Sequence, residues 1–178
     1  MLQLTGEKNT ARSLPGYAPE IGTWLWALED TRRRTKIVLH DVHPQVLDWT
    51  PPWGGNSIAT LLHHIAAIEI DWLYSDVLEQ EFPPEVNDLF PFEVRDEQGL
   101  LIAIHGLTLD DHVQRLDATR AILLKAFHRM EIQDFRRPRS QPKYEVTPEW
   151  VLHHLIQHEA EHRGQIGELL ASSQATLG

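Results

Sequence analysis

The chain has 178 residues, of which 42 % are hydrophobic and 24 % are charged, as expected for one globular domain with its own core. Its formal net charge of −10 argues against nucleic acid as a partner. No run of about 18 apolar residues is present to span a membrane, and the N-terminus does not resemble a signal peptide. Cysteine is absent, which excludes disulfides, thiolate ligands and a cysteine nucleophile. We therefore expect a cytoplasmic protein in which any reacting thiol comes from outside the chain.

We predict a flexible N-terminal arm at residues 1–17 and a single domain at residues 18–178. The first predicted helix of this domain spans residues 19–40. Pro19 suits the first helical turn, where its missing N–H costs nothing. Apolar side chains recur at three- and four-residue steps, at Ile21, Trp24, Leu25, Leu28, Thr35, Val38 and Leu39. The basic residues of the C-terminal half are predicted to form a solvated face, and they are Arg32, Arg33, Arg34 and Lys36.

The second predicted helix begins at a cap on Asn56 or Ser57 and runs to about Leu78. Its inward series is Ile58, Leu61, Ile65, Ile68 and Trp72. His64 lies on the edge of that series, whereas His63 projects about 100° away. Glu69 and Asp71 project away from the direction of His64, and we expect them at the surface or in an outer shell.

Two further helices follow a long irregular stretch at residues 79–108. Connections this long are often lids or binding loops, although a short helix or a partner-facing segment fits equally well. The third helix is predicted from Thr108, with Asp111 completing a capping box, to about Met130. The fourth begins at Thr147 and Pro148. Four amphipathic helices with no convincing strand predict an all-α four-helix bundle.

A histidine series in the fourth helix is the main functional signal. His154, His158 and His162 are four residues apart, so they project from one side of a helix. With eleven histidines in the chain, such spacing arises by chance in roughly two chains out of three, so it is weak evidence alone. His158 and His162 also fall on the predicted core stripe, where bundles build metal sites.

The sequence therefore predicts a metal site of His64, His158 and His162. His154 with His158 satisfies the same spacing and stays the second choice, and His153 is expected to be a bystander. Three imidazoles leave a divalent ion with an open coordination position, as in catalytic sites. No general base can be identified. Two classes remain open: a metal-dependent transferase or hydrolase, and a non-catalytic, dimerising metal-binding bundle of the stress-response kind.

Three stretches resemble the DinB-like family of four-helix-bundle metalloproteins. They are SIATLLHHIAAIEIDWL at residues 57–73, HHLIQHEAEHRGQIGELL at residues 153–170, and more weakly LEDTRRRTKIVL followed by DWTPPWGGNSI. The helix-four segment, with its H-x-x-x-H-R-G-Q-I pattern, is fairly specific.

The resemblance implies three metal-binding histidines, which fall on His64, His158 and His162 of this sequence. The adjacent His63 leaves the helix-two assignment open by one residue. The resemblance also implies a divalent metal ion, zinc or nickel, a homodimer, and a small-molecule substrate such as a low-molecular-weight thiol used in S-transfer. Residues 79–108 match no motif of the family, and they are where substrate specificity is expected to lie.

Overall fold

The computed structural model describes residues 10–40 and 42–177. In this part of the chain four long helices form the bundle: α1 (Pro19–Leu39), α3 (Ile58–Asp71), α5 (Leu109–Phe127) and α7 (Pro148–Leu177). The all-α fold class is thereby confirmed. Residues 1–9 of the predicted arm lie outside the described residues. Within the rest of that segment, Leu14 and Tyr17 pack against the core.

The predicted helix starts depend on local hydrogen bonds that the structure contains. Ser57 Oγ accepts from Thr60 N at 3.2 Å at the start of α3. Thr108 and Asp111 form the predicted capping box, with Asp111 N donating to Thr108 Oγ1 at 3.1 Å and Thr108 N donating to Asp111 Oδ2 at 2.8 Å. Such caps satisfy backbone groups that have no partner inside the helix.

The connections contain short elements, of which the sequence suggested only a short helix within residues 79–108. Three single-turn helices lie in the connections: α2 (Pro44–Leu47), α4 (Pro84–Asn87) and α6 (Ile132–Phe135). Two-residue strands β1 (Arg139–Ser140) and β2 (Glu145–Val146) pair antiparallel before α7. After Asp71 the helix continues as a π-helix over Trp72–Leu78, which ends at Glu79 with a left-handed φ of 55°.

Residue pairs between the helices show their relative directions. Residue numbers rise together along α1 and α7, as the pairs Trp24–Glu149 and Arg32–Glu159 show. They run in opposite senses between α3 and α7, in the pairs His64–His158 and Trp72–Trp150. They also run in opposite senses between α1 and α5, in the pairs Tyr17–Leu124 and Leu28–Arg120. Helices α3 and α5 are therefore parallel neighbours.

This arrangement explains the length of the segment at residues 79–108, which we call the crossover. A chain that leaves one helix and enters a parallel neighbour must return along the whole bundle. Helix α3 has 14 residues and its π-helical continuation has 7, which together span about 30 Å. A tight turn cannot make that connection, so the crossover runs beside α3 and covers part of its surface.

Helix α3 is the central element of the bundle. Every residue from Ile58 to Ala67 is buried, because α5, α7, α2 and the crossover pack around it. A helix buried on all sides carries no wide polar face, and polar residues that lie on it need partners within the protein. In the described part of the chain no helix is long and apolar enough to cross a membrane.

Candidate metal centre

Three imidazoles from α3 and α7 converge where the two helices cross. His158 Nε2 lies 3.1 Å from His64 Nε2 and 3.0 Å from His162 Nε2. One ligand atom from each residue falls within 4.8 Å of the others, and no other group of three or more His, Asp or Glu side chains does so among the described residues. The structure thus brings together the three residues predicted as ligands. We call them the histidine triad.

The position of the triad on α7 differs from the predicted one. Sequence patterning placed His158 and His162 on the core stripe, but both side chains are only half-buried. The fully buried position next to them is taken by Glu159, which is 2 % exposed. The two histidines lie along the edge of the buried stripe and face His64, which is 5 % exposed. One side of the triad is therefore closed and the other is accessible.

The electrostatic environment favours neutral imidazoles. Burial is the largest influence on both His64 and His158, and the neighbouring His162 adds to it. Together these effects lower the pKa of His64 to about 4 and the pKa of His158 to about 3. Arg95, from the crossover, contributes to both shifts. Neutral imidazoles are the form that binds a metal ion, and both pKa shifts favour that form at His64 and His158.

The donor set fits a divalent metal ion. Four-coordinate zinc with Zn–N bonds of about 2.0–2.1 Å separates neighbouring ligand nitrogens by about 3.3 Å, close to the 3.0 and 3.1 Å observed. His162 Nδ1 lies 2.8 Å from Gln165 Oε1. A carbonyl oxygen only accepts, so Nδ1 carries the proton and Nε2 keeps its lone pair. An outer-shell acceptor of this kind is usual for a metal-binding histidine.

Of the two adjacent histidines on α3, only His64 lies in the converging cluster. His63 is 2 % exposed and points toward the crossover. Its Nε2 lies 3.3 Å from the backbone oxygen of Phe92, and its ring packs edge-on against Phe90 at 5.6 Å. His63 belongs to the α3–crossover contact, so His64 is the α3 member of the triad.

His154 lies at the edge of the triad, with its ring 5.9 Å from the ring of His158, but it packs mainly against tryptophans. It stacks on Trp150 with ring centroids 5.2 Å apart and planes 5° apart, and it contacts Trp72 at 4.7 Å. His153 lies on another side of α7, where its ring meets Trp24 edge-on at 6.0 Å. These two histidines support the packing of α7 and lie outside the set of converging nitrogens.

A pocket of about 620 Å³ opens beside the triad between α3 and the crossover. Its α3 wall includes Ala67, Ile68 and Asp71, which lie three, four and seven residues beyond His64 on the same side of the helix. Its crossover wall combines apolar side chains with a carboxylate and a guanidinium, and it includes Phe90, Phe92, Glu93, Val94 and Arg95. The triad itself does not line this pocket, but Arg95 is close enough to influence both His64 and His158.

Behind the triad lies a second group of charged residues that the sequence analysis missed. Arg32, Glu69, Arg120 and Glu159 come one from each of the four long helices, and their exposures are 3, 2, 4 and 2 %. Arg32 donates to Glu69 at 2.8 Å and to Glu159 at 2.9 Å, and Arg120 donates to the same two carboxylates at 2.8–3.2 Å. We call these four residues the ionic ring, and Arg120 also donates to the partly exposed Glu29 at its edge.

The ionic ring corrects two predictions. Arg32 was assigned to a solvated face, but only its neighbours Arg33 and Arg34 are exposed. Glu69 was expected at the surface or in an outer shell, and the surface alternative is wrong because Glu69 is buried between two guanidinium groups. Its neighbour Asp71 is exposed and accepts from Ser75 at 3.3 Å. Burial of a charge requires a partner, and only the tertiary fold supplies one.

A helix bundle with a three-histidine cluster at a helix crossing defines a class of metal-binding four-helix proteins. The family model for the DinB superfamily matches residues 27–166, which is more than three quarters of the chain, and the chain belongs to that superfamily. The matched region contains all three triad residues. No curated protein shows significant similarity to the chain.

Proposed function

We propose that this protein is a metal-dependent enzyme in which His64, His158 and His162 hold a divalent ion, zinc or nickel. The observation that supports the proposal most directly is the convergence of three Nε2 atoms from two helices at ligand spacing. With three neutral imidazole ligands, such an ion keeps an open coordination position and supplies the Lewis acidity that lowers the pKa of a bound water or thiol.

The accessibility of the triad favours catalysis over a closed structural site. A structural zinc site normally has four protein ligands. Among the described residues, the group that could hold an ion contains three, and two of these are half-buried. The alternative, a non-catalytic metal-binding bundle, requires a sealed site or a fourth protein ligand. The open side of the triad supports the enzyme.

The pocket beside the triad is the proposed site for the reaction partner. Its apolar walls of Ile68, Phe90 and Phe92 suit an apolar substrate body, and Arg95 supplies one positive charge near the histidines. The chain has no cysteine, so the nucleophile of an S-transfer reaction is an external low-molecular-weight thiol. If water is the nucleophile instead, the protein is a hydrolase. The homodimer and the cytoplasmic location stay predictions.

Metal analysis of the purified protein tests the proposal. We expect one divalent ion per chain in the wild type and a lower metal content in His158→Ala. Loss of a ligand should weaken metal affinity by more than the about 10–100-fold typical of an outer-shell change. His153→Ala is the matched control, because it removes an exposed imidazole five residues earlier on the same helix and outside the triad. Equal metal content in the wild type and His158→Ala would sink the assignment.

A second assay separates the enzyme from the non-catalytic bundle. Consumption of a thiol in the presence of an apolar electrophile is measured for the wild type and for Ile68→Trp, which fills the pocket without removing a ligand. The enzyme predicts turnover in the wild type, loss of turnover in Ile68→Trp and unchanged metal content in both. Metal binding without thiol consumption or hydrolysis across a panel of electrophiles would favour the non-catalytic bundle.

A further inference from the structure

The ionic ring connects the two helices that carry the histidine triad to the two that do not. Glu69 follows His64 by five residues on α3, and Glu159 is adjacent to His158 on α7. Both carboxylates accept hydrogen bonds from Arg32 of α1 and Arg120 of α5. Neither arginine touches the triad, so any effect of the ring on the site is transmitted through the helices.

We propose that the ionic ring is a positioning device that sets the rotation and the axial position of α3 and α7 and thereby makes the three imidazole nitrogens converge. The proposal rests on the metal site proposed above and assigns a role to residues that do not touch the ion. The ring members are positioning residues, since they hold the backbone from which the ligands project.

Helix geometry shows how the ring sets rotation. Residue 159 projects about 100° around the helix from residue 158, and residue 69 projects about 140° from residue 64 and about 7.5 Å farther along the axis. The carboxylates therefore project inward to the arginines while the histidines project toward each other. If Glu159 keeps its hydrogen bonds, α7 cannot turn His158 and His162 away from His64.

The ring also limits sliding of one helix along another. A slip of one residue displaces a helix by about 1.5 Å, whereas metal–ligand distances must hold within about 0.2 Å. Apolar contacts are non-directional and tolerate small slips. Arg120 Nε and Nη2 donate to the two oxygens of Glu69 in parallel at 2.9 and 2.8 Å, and such a paired geometry is directional.

The decisive variant is Arg32→Met, because positioning and simple electrostatics predict opposite signs. Removing a positive charge near a bound cation strengthens cation binding by Coulomb's law. The positioning role predicts instead weaker zinc binding, by up to the about 10–100-fold that follows loss of a group bonded directly to a ligand. Arg33→Met is the matched control, with the same change at an exposed neighbour.

Zinc affinity is measured by competition with a chromophoric chelator, with Zn²⁺ as the only added metal. The visible spectrum of the Co²⁺-substituted protein reports the geometry of the ligands. A variant that is only less stable keeps the wild-type spectrum in its folded molecules. Circular dichroism and urea titration confirm that each variant is folded. We expect Arg32→Met to bind Zn²⁺ more weakly with an altered Co²⁺ spectrum, while Arg33→Met matches the wild type.

A second set of variants covers the case in which Arg32→Met does not fold. Replacing all four ring residues together (R32M, E69L, R120M, E159L) leaves no unpaired buried charge, and such replacements often keep the fold. On α7 itself, Glu159→Gln is compared with Glu161→Gln, which removes the same charge from an exposed position next to His162. Weaker zinc binding in the quadruple variant, and in Glu159→Gln but not Glu161→Gln, is the expected result.

The proposal is overturned if a folded Arg32→Met or quadruple variant binds Zn²⁺ as the wild type does. The metal site itself fails separately, through a wild type that binds no divalent ion. In that event the positioning role of the ring is tested in the metal-free protein, through the ¹⁵N resonances of the His64 and His158 imidazoles. Positioning predicts that Arg32→Met shifts these resonances and Arg33→Met does not, and unshifted resonances would overturn it.

Discussion

Arg120 and Glu69 form a two-point ion pair between α5 and α3, in which Nε donates to Oε1 at 2.9 Å and Nη2 donates to Oε2 at 2.8 Å. Both side chains are at most 4 % exposed. Arg120 also donates to Glu29 Oε1 at 2.7 Å and to the backbone oxygen of Leu28 at 3.0 Å. This pair holds α3, the helix that carries His64, against α5, and the further hydrogen bonds of Arg120 connect α5 to α1.

Glu69→Gln is expected to reduce the free energy of unfolding strongly at neutral pH. The substitution keeps the shape but leaves two buried guanidinium groups with one carboxylate fewer, and removal of one partner from a buried ion pair costs about 3–5 kcal/mol. Urea unfolding followed by circular dichroism measures the change. Asp117→Asn breaks the exposed pair with Lys36 and is expected to cost about 0–1 kcal/mol. Similar losses in the two variants would contradict the importance assigned to the ring.

The stabilisation from Glu69 should disappear in acid. Burial raises the pKa of Glu69, but the charges and hydrogen bonds of Arg120 and Arg32 outweigh it and hold the pKa below the ordinary value of 4.5. A carboxyl group with a lowered folded-state pKa stabilises the fold above its unfolded pKa, and this is lost as the pH falls through the folded pKa. The stability of the wild type should therefore decline from about pH 4.5 downward.

The same titration separates Glu69 from the other acidic groups. The difference in free energy of unfolding between the wild type and Glu69→Gln is measured from pH 7 to pH 3. We expect it to be constant near neutrality and to shrink below the unfolded pKa, because the wild-type carboxyl becomes protonated there. A difference that stays constant through this range would show that the charge of Glu69 is not what stabilises the protein.

Gln165→Leu should weaken metal binding without unfolding the protein. Gln165 is exposed and its Oε1 accepts from His162 Nδ1 at 2.8 Å, so it fixes the tautomer in which Nε2 binds the ion. Loss of such an acceptor costs about 10–100-fold in metal affinity, measured with a competing chelator. Gln157→Leu is the control, as an exposed glutamine one residue before His158. Equal metal affinities in the wild type and Gln165→Leu would show that Gln165 does not determine the tautomer of His162.

The capping box of α5 should contribute measurably to stability. Thr108→Ala removes the hydroxyl that accepts from Asp111 N and is expected to cost about 1 kcal/mol. Thr108→Ser keeps the hydroxyl and should retain most of that stability. Thermal and urea unfolding compare the two. If the serine variant loses as much as the alanine variant, the hydroxyl is not responsible.

Local signals in the sequence were enough for the helices and for the choice of triad residues. Helix starts depend on neighbouring side chains such as Thr108 with Asp111, and amphipathic periodicity depends on residues three and four apart, so both can be predicted without tertiary information. The resemblance to the DinB-like family, confirmed over residues 27–166, implied the same bundle and the same set of His64, His158 and His162. Spacing alone did not separate His158 with His162 from His154 with His158.

Only the tertiary structure decided which partners meet. The apolar stripe predicted for α1 skips from Leu28 to Thr35, and Arg32 fills this gap. Arg120 lies in the same way between the buried Leu116 and Leu123 of α5. Glu69 and Glu159 occupy buried positions on α3 and α7 in the same way. A charged residue at a position where the helical period places apolar residues can be recognised in the sequence. Its partner is on another helix, however, and their pairing depends on the direction and rotation of both helices. The same dependence turned His154 toward Trp150 and left His158 facing His64.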